Sequence, residues 1–200
     1  MTIFSLRLLA LVSMFFDHVA ALFLLGSPLY LPMRMFGRLA FPIFAFLAVE
    51  GFRHTTNFKR YIARLLFVAV VAQIPYMVCF PDAFRLNVIL QLVCGLLFLR
   101  LVECSLSPMR FLCVVVSIGI LSMASEYGLL AIFLMVAFYS RSKFFSVVFM
   151  ALCSFNFLGV GSFAYFLLCR YNGECGYKLS RLVSYGFYPI HLFVLALLYV

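Results

Sequence analysis

The chain has 200 residues, of which 67% are hydrophobic and 10% are charged, and its formal net charge is +9. A soluble domain has about a quarter of its residues charged, so this composition excludes a soluble helical protein and indicates a polytopic membrane protein. The basic residues lie in short segments between apolar runs. That distribution follows the positive-inside rule and argues against a nucleic-acid partner.

The seven cysteines are scattered along the chain, without a CxxC motif or a Cys/His cluster that has zinc-ligand spacing. Most of them lie within apolar runs, where cysteine behaves as a small apolar residue. We therefore expect neither a bound metal nor a disulfide framework.

Apolar runs follow one another along almost the whole chain, and a bilayer core of about 30 Å takes roughly 20 helical residues. We predict an all-α membrane helix bundle of about nine spans, some of them short or re-entrant. The runs at 144–157 and 158–169 form either a tight hairpin, turning at Gly159 and Gly161, or one long helix. The spans lie near residues 8–25, 36–51, 61–80, 86–102, 110–124, 127–140, 144–157, 158–169 and 182–200.

The basic residues set the predicted orientation and favour the hairpin. With nine spans and a cytoplasmic N-terminus, Arg34, Arg38 and Arg85 fall outside, and merging the seventh and eighth runs would move the last basic residues outside as well. We expect one membrane domain over residues 1–200. The cytoplasmic set is then Arg7, Arg53, Lys59, Arg60, Arg64, Arg100, Arg110, Arg141, Lys143, Arg170, Lys178 and Arg181.

Ionisable side chains inside the spans are few. Near the bilayer centre each costs about 2.5–3.5 kcal/mol, and such residues usually mark a functional path. Asp17 and His18 also argue against reading the first run as a cleaved signal peptide, so we expect a retained span. The set in or next to the spans is Asp17, His18, Arg38, Glu50, Glu126 and His191.

Asp17 and His18 are adjacent, but neighbouring residues on a helix point about 100° apart. Asp17 shares its face with small residues such as Ala10 and Ser13, which let membrane helices approach closely. We therefore expect Asp17 to pair with Arg34 or Arg38 in the next helical segment, as a structural partner.

His18 lies eleven residues after Arg7, almost three helical turns, so the two share one stripe about 16 Å apart. The imidazole group has a reference pKa of about 6.5 and suits a general base. The functional interpretation is a cation at the cytoplasmic mouth and a catalytic histidine near mid-membrane. The structural alternative is a core histidine bonded to a backbone carbonyl, with Arg7 as a topology anchor.

Glu50 and His54 are i,i+4 neighbours, and the basic residues Arg53, Lys59 and Arg64 follow closely. This segment is either a phosphate-binding mouth or an ordinary positive-inside loop.

Two polar segments lie nearer the C-terminus. The Tyr171-Asn172-Gly173 sequence is a turn by its Asn-Gly chemistry, and a plain connector is its alternative reading. In the last span Pro189 removes a helical hydrogen bond, and Tyr188 and His191 share a face. Tyr188 and His191 either belong to a functional site, or they lie at a proline kink where the hydrogen bonds of the histidine are already satisfied.

The order of these residues resembles the TraX family, that of the conjugative F-pilin acetylase. The block at residues 37–46 with 49–52 and His54 is the most specific. In the related acyltransferase-3 branch, an arginine, ten residues and a histidine stand in the first helix, as Arg7 and His18 do here. The other matching pieces are Asp17-His18, Arg64-Leu65, Ile74-Pro75, residues 126–128, residues 171–173 with Gly176, and residues 187–192.

The resemblance implies a membrane acetyltransferase of the bacterial inner membrane. Such an enzyme moves an acetyl group from acetyl-CoA to the N-terminal amine of a pilin or similar exported protein. Together with the reading of the residues, it gives the candidate catalytic set His18, Arg7, Asp17, Arg38, Tyr188 and His191. The candidate acetyl-CoA-binding set is Arg7, Arg53, His54, Arg64, Tyr171 and Asn172.

Other functions stay open at this point. A proton-coupled transporter would use Asp17, His18 and Glu50 as a relay, and an acyltransferase could act on a glycan instead of a protein. An intramembrane protease would need Ser162 and His191, but the G-x-S-x-G setting is absent around Ser162. A purely structural membrane subunit would use the polar residues to hold helices together.

Overall fold

A computed structural model of the protein describes residues 1–80, 85–105, 107–177 and 179–199. The described residues are mostly helical and form no strand, which confirms the predicted all-α bundle. The helices are α1 (Ile3–Phe23), α2 (Tyr30–Gly37), α3 (Ala40–His54), α4 (Phe58–Cys79), α5 (Val88–Val102), α6 (Pro108–Met123), α7 (Gly128–Tyr139), α8 (Lys143–Cys153), α9 (Ala164–Cys169) and α10 (Arg181–Tyr199).

Helix lengths agree with a polytopic membrane protein whose spans are unequal. Within the described ranges, Ile3–Phe23, Tyr30–His54 and Phe58–Cys79 are long and apolar enough to cross a bilayer, and six further apolar helices are shorter. The second span begins earlier than predicted, at Tyr30, because Pro32 lies in the first turn of α2, where no backbone N–H is needed.

Local capping explains where several helices begin. Thr2 caps α1 by accepting from the backbone N–H of Ser5, and Asn57 caps α4 by accepting from that of Arg60. Asn87 accepts in the same way from the first turn of α5. Each cap satisfies a donor that has no partner within its own helix.

The chain reverses between α8 and α9, so the structure has the hairpin and not one long helix. Leu158 and Gly159 adopt left-handed backbone conformations, with φ of 55° and 67°, between two short 3₁₀ turns. Ser154 then accepts a 2.9 Å hydrogen bond from the backbone N–H of Gly161. The predicted turn at Gly159 and Gly161 is confirmed.

Two packed clusters position the candidate site. One joins α3, α5 and α7 with the first half of α1, and the other joins α4 and α10 with the second half of α1. Side-chain amides link neighbouring helices. Gln73 of α4 accepts a 2.8 Å hydrogen bond from the Asn87 side chain, and Gln91 of α5 donates a 2.8 Å hydrogen bond to Ser122 of α6. Such bonds act as interhelical ties.

Two of the cations, Arg53 and Arg34, lie at opposite ends of the bundle. The N-terminal end is the end that contains the first turn of α1; there Ile3 donates its N–H to the Glu174 carbonyl, and the Arg53 guanidinium reaches the Tyr139 carbonyl. Arg34 lies at the opposite end, beside Asp17. The cytoplasmic position of the N-terminal end stays a prediction, and Lys178 lies outside the described residues.

Candidate active site

Two histidines far apart in sequence meet inside the bundle. His18 of α1 and His191 of α10 are 173 residues apart, yet Nδ1 of His18 and Nε2 of His191 are 2.8 Å apart. Their rings are nearly parallel, with centroids 5.1 Å apart and an interplanar angle of 6°. The two residues that the sequence singled out separately therefore form one unit, which we call the histidine pair.

The hydrogen bonds fix the tautomers of a neutral histidine pair. His191 Nδ1 lies 2.8 Å from the Phe187 carbonyl oxygen, which can only accept, so this nitrogen donates. In a neutral imidazole the other nitrogen then accepts, and Nδ1 of His18 must be its donor. The same reasoning leaves an unshared electron pair on Nε2 of His18, which is the property a general base requires.

Aromatic rings enclose the histidine pair. Phe80 lies 5.6 Å from the His18 ring and Tyr188 lies 6.5 Å from it, measured between centroids. Tyr188 is 5% exposed, and its hydroxyl has no hydrogen-bond partner among the described residues. The Val88 backbone lies close to this hydroxyl, and a buried hydroxyl that donates to no partner is costly, so its proton can be donated to a ligand.

A narrow cavity of 110 Å³ lies between α1, α3, α4, α5 and α10, and it begins at the N-terminal end of the bundle. Arg7 and Ser184 line it, and they are joined by a 3.1 Å hydrogen bond from the guanidinium to the hydroxyl. Tyr188 and mainly apolar residues line it as well. Arg7 and His18 both contact α10, at Ser184 and His191, so the predicted stripe faces one helix.

A second cavity, of 170 Å³, reaches His18 from the opposite end of the bundle. Its lining includes Asp17, Arg34 and Glu126. His18 lines this second cavity, and Tyr188 lines the first. The ring centroids of these two residues are 6.5 Å apart, so the two cavities approach the same contact between α1 and α10.

Asp17 belongs to a separate cluster of charges, and its predicted pairing is confirmed. Its carboxylate lies 2.6 Å from the Arg34 guanidinium and 3.4 Å from that of Arg38, and Arg38 also pairs with Glu126 at 2.9 Å. The Phe157 ring covers both guanidinium groups. We call Asp17, Arg34, Arg38 and Glu126 the ion cluster; it joins α1, α2 and the segment before α7.

The basic residues predicted to form one phosphate-binding mouth lie on two different sides of α3. Arg53 pairs with Glu50 at 2.5 Å and donates to the Tyr139 carbonyl at 2.7 Å, while His54 lies 3.6 Å from Glu50, as its i,i+4 spacing predicts. Arg64 instead lies over the ring of Tyr185, a residue that lines the Arg7 cavity. Arg53 and His54 therefore do not share a cavity with Arg7.

The Tyr171-Asn172-Gly173 turn covers the start of α1. The backbone N–H groups of Ile3 and Phe4 donate to the carbonyls of Glu174 and Cys175, at 2.9 and 3.1 Å. Asn172 shapes this turn by donating to the Glu174 carboxylate at 2.8 Å. These contacts give Asn172 a structural role, because they satisfy N–H groups that a helix cannot pair internally.

Ser184 is a site residue that the sequence reasoning missed. It precedes His191 by seven residues, or about two helical turns, so both lie on the face of α10 that meets α1. The sequence contained one signal for Ser184. Ser184 and His191 lie about two helical turns apart, and Arg7 and His18 lie almost three turns apart, so each pair occupies one face of its helix.

Comparisons with known proteins agree with the resemblance in the sequence. A family model described as TraX protein matches residues 4–199. A probable fimbrial assembly protein, FimC of serogroup H1, from Dichelobacter nodosus is 46% identical over 71 residues, which cover 35% of this chain and 29% of that protein. No solved structure matches the chain. Since the family model covers nearly the whole sequence, the chain belongs to the TraX family.

Proposed function

We propose that this membrane protein is an acetyltransferase that uses acetyl-CoA and acts on the N-terminal amine of a pilin or similar exported protein. Membership of the TraX family and the name of the fimbrial relative support a role in pilus assembly or conjugation. The observation that carries the proposal is the histidine pair, with an unshared electron pair on His18, which lines the second cavity beside Tyr188 of the first.

Acetyl-CoA would supply the acetyl group as a thioester, from the N-terminal end of the bundle. Arg7 lines the cavity together with Tyr185, and Arg64 lies over the outer side of the Tyr185 ring in a neighbouring pocket; both guanidinium groups suit phosphate. The cavity behind them is narrow and mainly apolar, so it fits a slender acyl arm and excludes a nucleotide. Its lining ends at Tyr188, whose hydroxyl lacks a partner within the described ranges.

The acceptor amine would approach His18 through the second cavity. His18 Nε2 takes the proton that the amine loses as the new C–N bond forms, and returns a proton to the sulfur as the C–S bond breaks. Tyr188 donates to the oxygen on which charge develops. His191 holds the His18 tautomer through its bond to the Phe187 carbonyl, and this makes it a positioning residue.

The ion cluster supports this arrangement from one side. The Nη atoms of Arg38 already donate to Asp17, Glu126 and Tyr127, so Tyr188 is the better oxyanion donor of the predicted candidates. Asp17 holds α1 against α2 in the proposed mechanism and takes no proton from the amine.

A proton-coupled carrier is the second candidate, because one cavity that reaches His18 and another that reaches the neighbouring Tyr188 also suit a proton relay. An acyltransferase that acts on a glycan would use the same histidine on a hydroxyl group.

One reconstitution separates these functions. The purified full chain in lipid nanodiscs would be given acetyl-CoA and a peptide with a pilin N-terminus, and free thiol and peptide mass would be measured. We expect thiol release that requires the peptide, and a peptide heavier by one acetyl group. A peptide that stays unmodified, with proton flux in liposomes, would favour the carrier.

A further inference from the structure

A second basic cavity opens at the N-terminal end, on the other side of α3 from the Arg7 cavity. Its volume is 490 Å³, and its walls come from the end of α3, the turn between α7 and α8, α9 and the residues after it. The basic side chains that line it are Arg53, His54, Arg141 and Lys143. We call this space the α3–α8 cavity.

Two of its positive charges are not neutralised. Glu50 is the one carboxylate among the described lining residues, and it is 11% exposed and paired with Arg53 and His54. Arg141 and Lys143 take part in no ion pair in the part of the chain that the structure describes. The cavity therefore presents a net positive rim.

Arg141 has a backbone conformation that glycine adopts more easily than any other residue. It follows the end of α7 with φ of 57°, in the left-handed region where a side chain is strained. Strain of this kind often accompanies a functional side chain. The guanidinium at the cavity rim gives a reason for an arginine at this position.

The floor of the cavity is apolar and aromatic. Phe46 stacks edge-on against Phe138 and Tyr171, with centroids 5.6 and 5.4 Å apart, and Leu168 completes the floor. A cationic rim above such a floor suits a phosphate group attached to an apolar or aromatic moiety. A phospholipid and a nucleotide both have this chemistry.

The α3–α8 cavity is separate from the path to His18. Phe46, Glu50 and Arg53 lie on one face of α3 and line it. Phe44 and Leu47 lie on another face and line the Arg7 cavity. A ligand in the α3–α8 cavity thus has the whole of α3 between itself and the Arg7–His18 stripe.

We propose that the α3–α8 cavity is a phosphate-binding site, in which Arg141 and Lys143 hold the anion above the aromatic floor. The site does not depend on the acetyl-transfer proposal, because it takes no part in the path to the histidine pair.

The test measures binding by the full chain in nanodiscs made of phosphatidylcholine. One arm titrates phosphatidylglycerol into the nanodisc and counts retained lipids by native mass spectrometry. The other arm measures binding of uridine 5′-monophosphate, a nucleotide that is not part of acetyl-CoA, by calorimetry. The Arg141→Gly/Lys143→Gln variant should weaken binding at least tenfold in the arm that shows it, and added salt should weaken wild-type binding.

Arg110→Gln is the matched control, because Arg110 is exposed and does not line the α3–α8 cavity. It should change the affinity less than twofold. Arg141→Gly should not lower the melting temperature, since glycine suits φ of 57°, so lost binding would not reflect unfolding.

Binding in the lipid arm identifies a membrane phospholipid as the source of the phosphate, and binding in the nucleotide arm identifies a soluble ligand. The proposal is overturned if neither probe binds, or if the double variant binds as tightly as the wild type. Both readouts are independent of acetylation, so a failure of the acetyl-transfer proposal would be seen separately.

Discussion

Asp17 and His18 are adjacent in sequence and belong to two regions of different character. The ion cluster around Asp17 is charged, and its members mainly satisfy one another. The histidine pair is enclosed by aromatic rings and has an unshared electron pair at His18 Nε2. Both regions contain rare polar residues of a membrane span. The unpaired nitrogen of the histidine pair belongs to a neutral base, whereas the unpaired Oδ1 of Asp17 belongs to a carboxylate that two arginines hold through its other oxygen.

The difference shows how a polar residue in a membrane helix can be sorted into structure or chemistry. A charge in a low-dielectric environment needs partners, and once these are present, breaking them is destabilising. A neutral imidazole can be buried at lower cost, and its second nitrogen stays available. The following predictions test this division, from the largest expected effect to the smallest.

Replacing His18 should have the largest effect on the reaction. His18→Ala should lower the acetylation rate by about 10²–10⁴-fold, the usual contribution of a general base, without preventing membrane insertion. His18→Asn keeps a donor towards His191 but removes the base, so it should be equally inactive. Intact-mass analysis of the acceptor measures both variants.

Val12→Ala is the control for the His18 variants, since Val12 lies in the same helix with an exposed side chain. It should acetylate at the wild-type rate. Full activity of His18→Asn would remove His18 from the chemistry and leave the histidine pair as a structural contact.

Breaking the ion cluster should affect stability instead. Arg38→Leu leaves Glu126 without its arginine and Asp17 with Arg34 alone, so the free energy of unfolding should fall by about 3–5 kcal/mol. Denaturant unfolding in mild detergent measures it. Arg110→Leu, which removes an exposed arginine, should change little.

The reaction rate of the folded fraction of Arg38→Leu tests whether Arg38 also takes part in the reaction. If Arg38 served as the oxyanion donor, the folded fraction of Arg38→Leu would lose about 10²-fold or more in rate. We expect that fraction to stay active, because the Arg38 side chain is engaged by the ion cluster.

Tyr188→Phe should separate an effect on the reaction rate from an effect on stability at one residue beside the histidine pair. Removing an oxyanion donor typically costs about 10²-fold in rate. The melting temperature should stay the same or rise, because the Tyr188 hydroxyl is buried without a partner among the described residues. A lower melting temperature with an unchanged rate would make Tyr188 a structural residue.

Gly37→Ala should give the smallest effect, and on the ion cluster alone. A methyl group at Gly37 would collide with the Asp17 side chain, so overpacking should cost about 1–3 kcal/mol of stability. Gly119→Ala is the matched control, because its nearest contact would be an ordinary 3.8 Å from Leu129. Equal stability of the two variants would contradict the close approach of α1 and α2.

Much of the bundle follows from the sequence because apolar runs of bilayer length have one stable outcome in lipid. The Asp17 partners were also predictable, since a small-residue face indicates which side of α1 meets its neighbour. The separation of the basic residues into two cavities was not predictable, because the spacing of Arg7, Arg53 and Arg64 does not reveal on which side of α3 each of them lies.

By itself the sequence determined the membrane bundle, the stripe that links Arg7 to His18, and the separation of His18 from Asp17. Helix geometry alone carries these, since each depends on intervals within one helix. The tertiary structure decided that His18 meets His191, that Tyr188 is left without a partner among the described residues, and that α3 separates two basic cavities. These features depend on how distant helices pack, and local periodicity does not encode that.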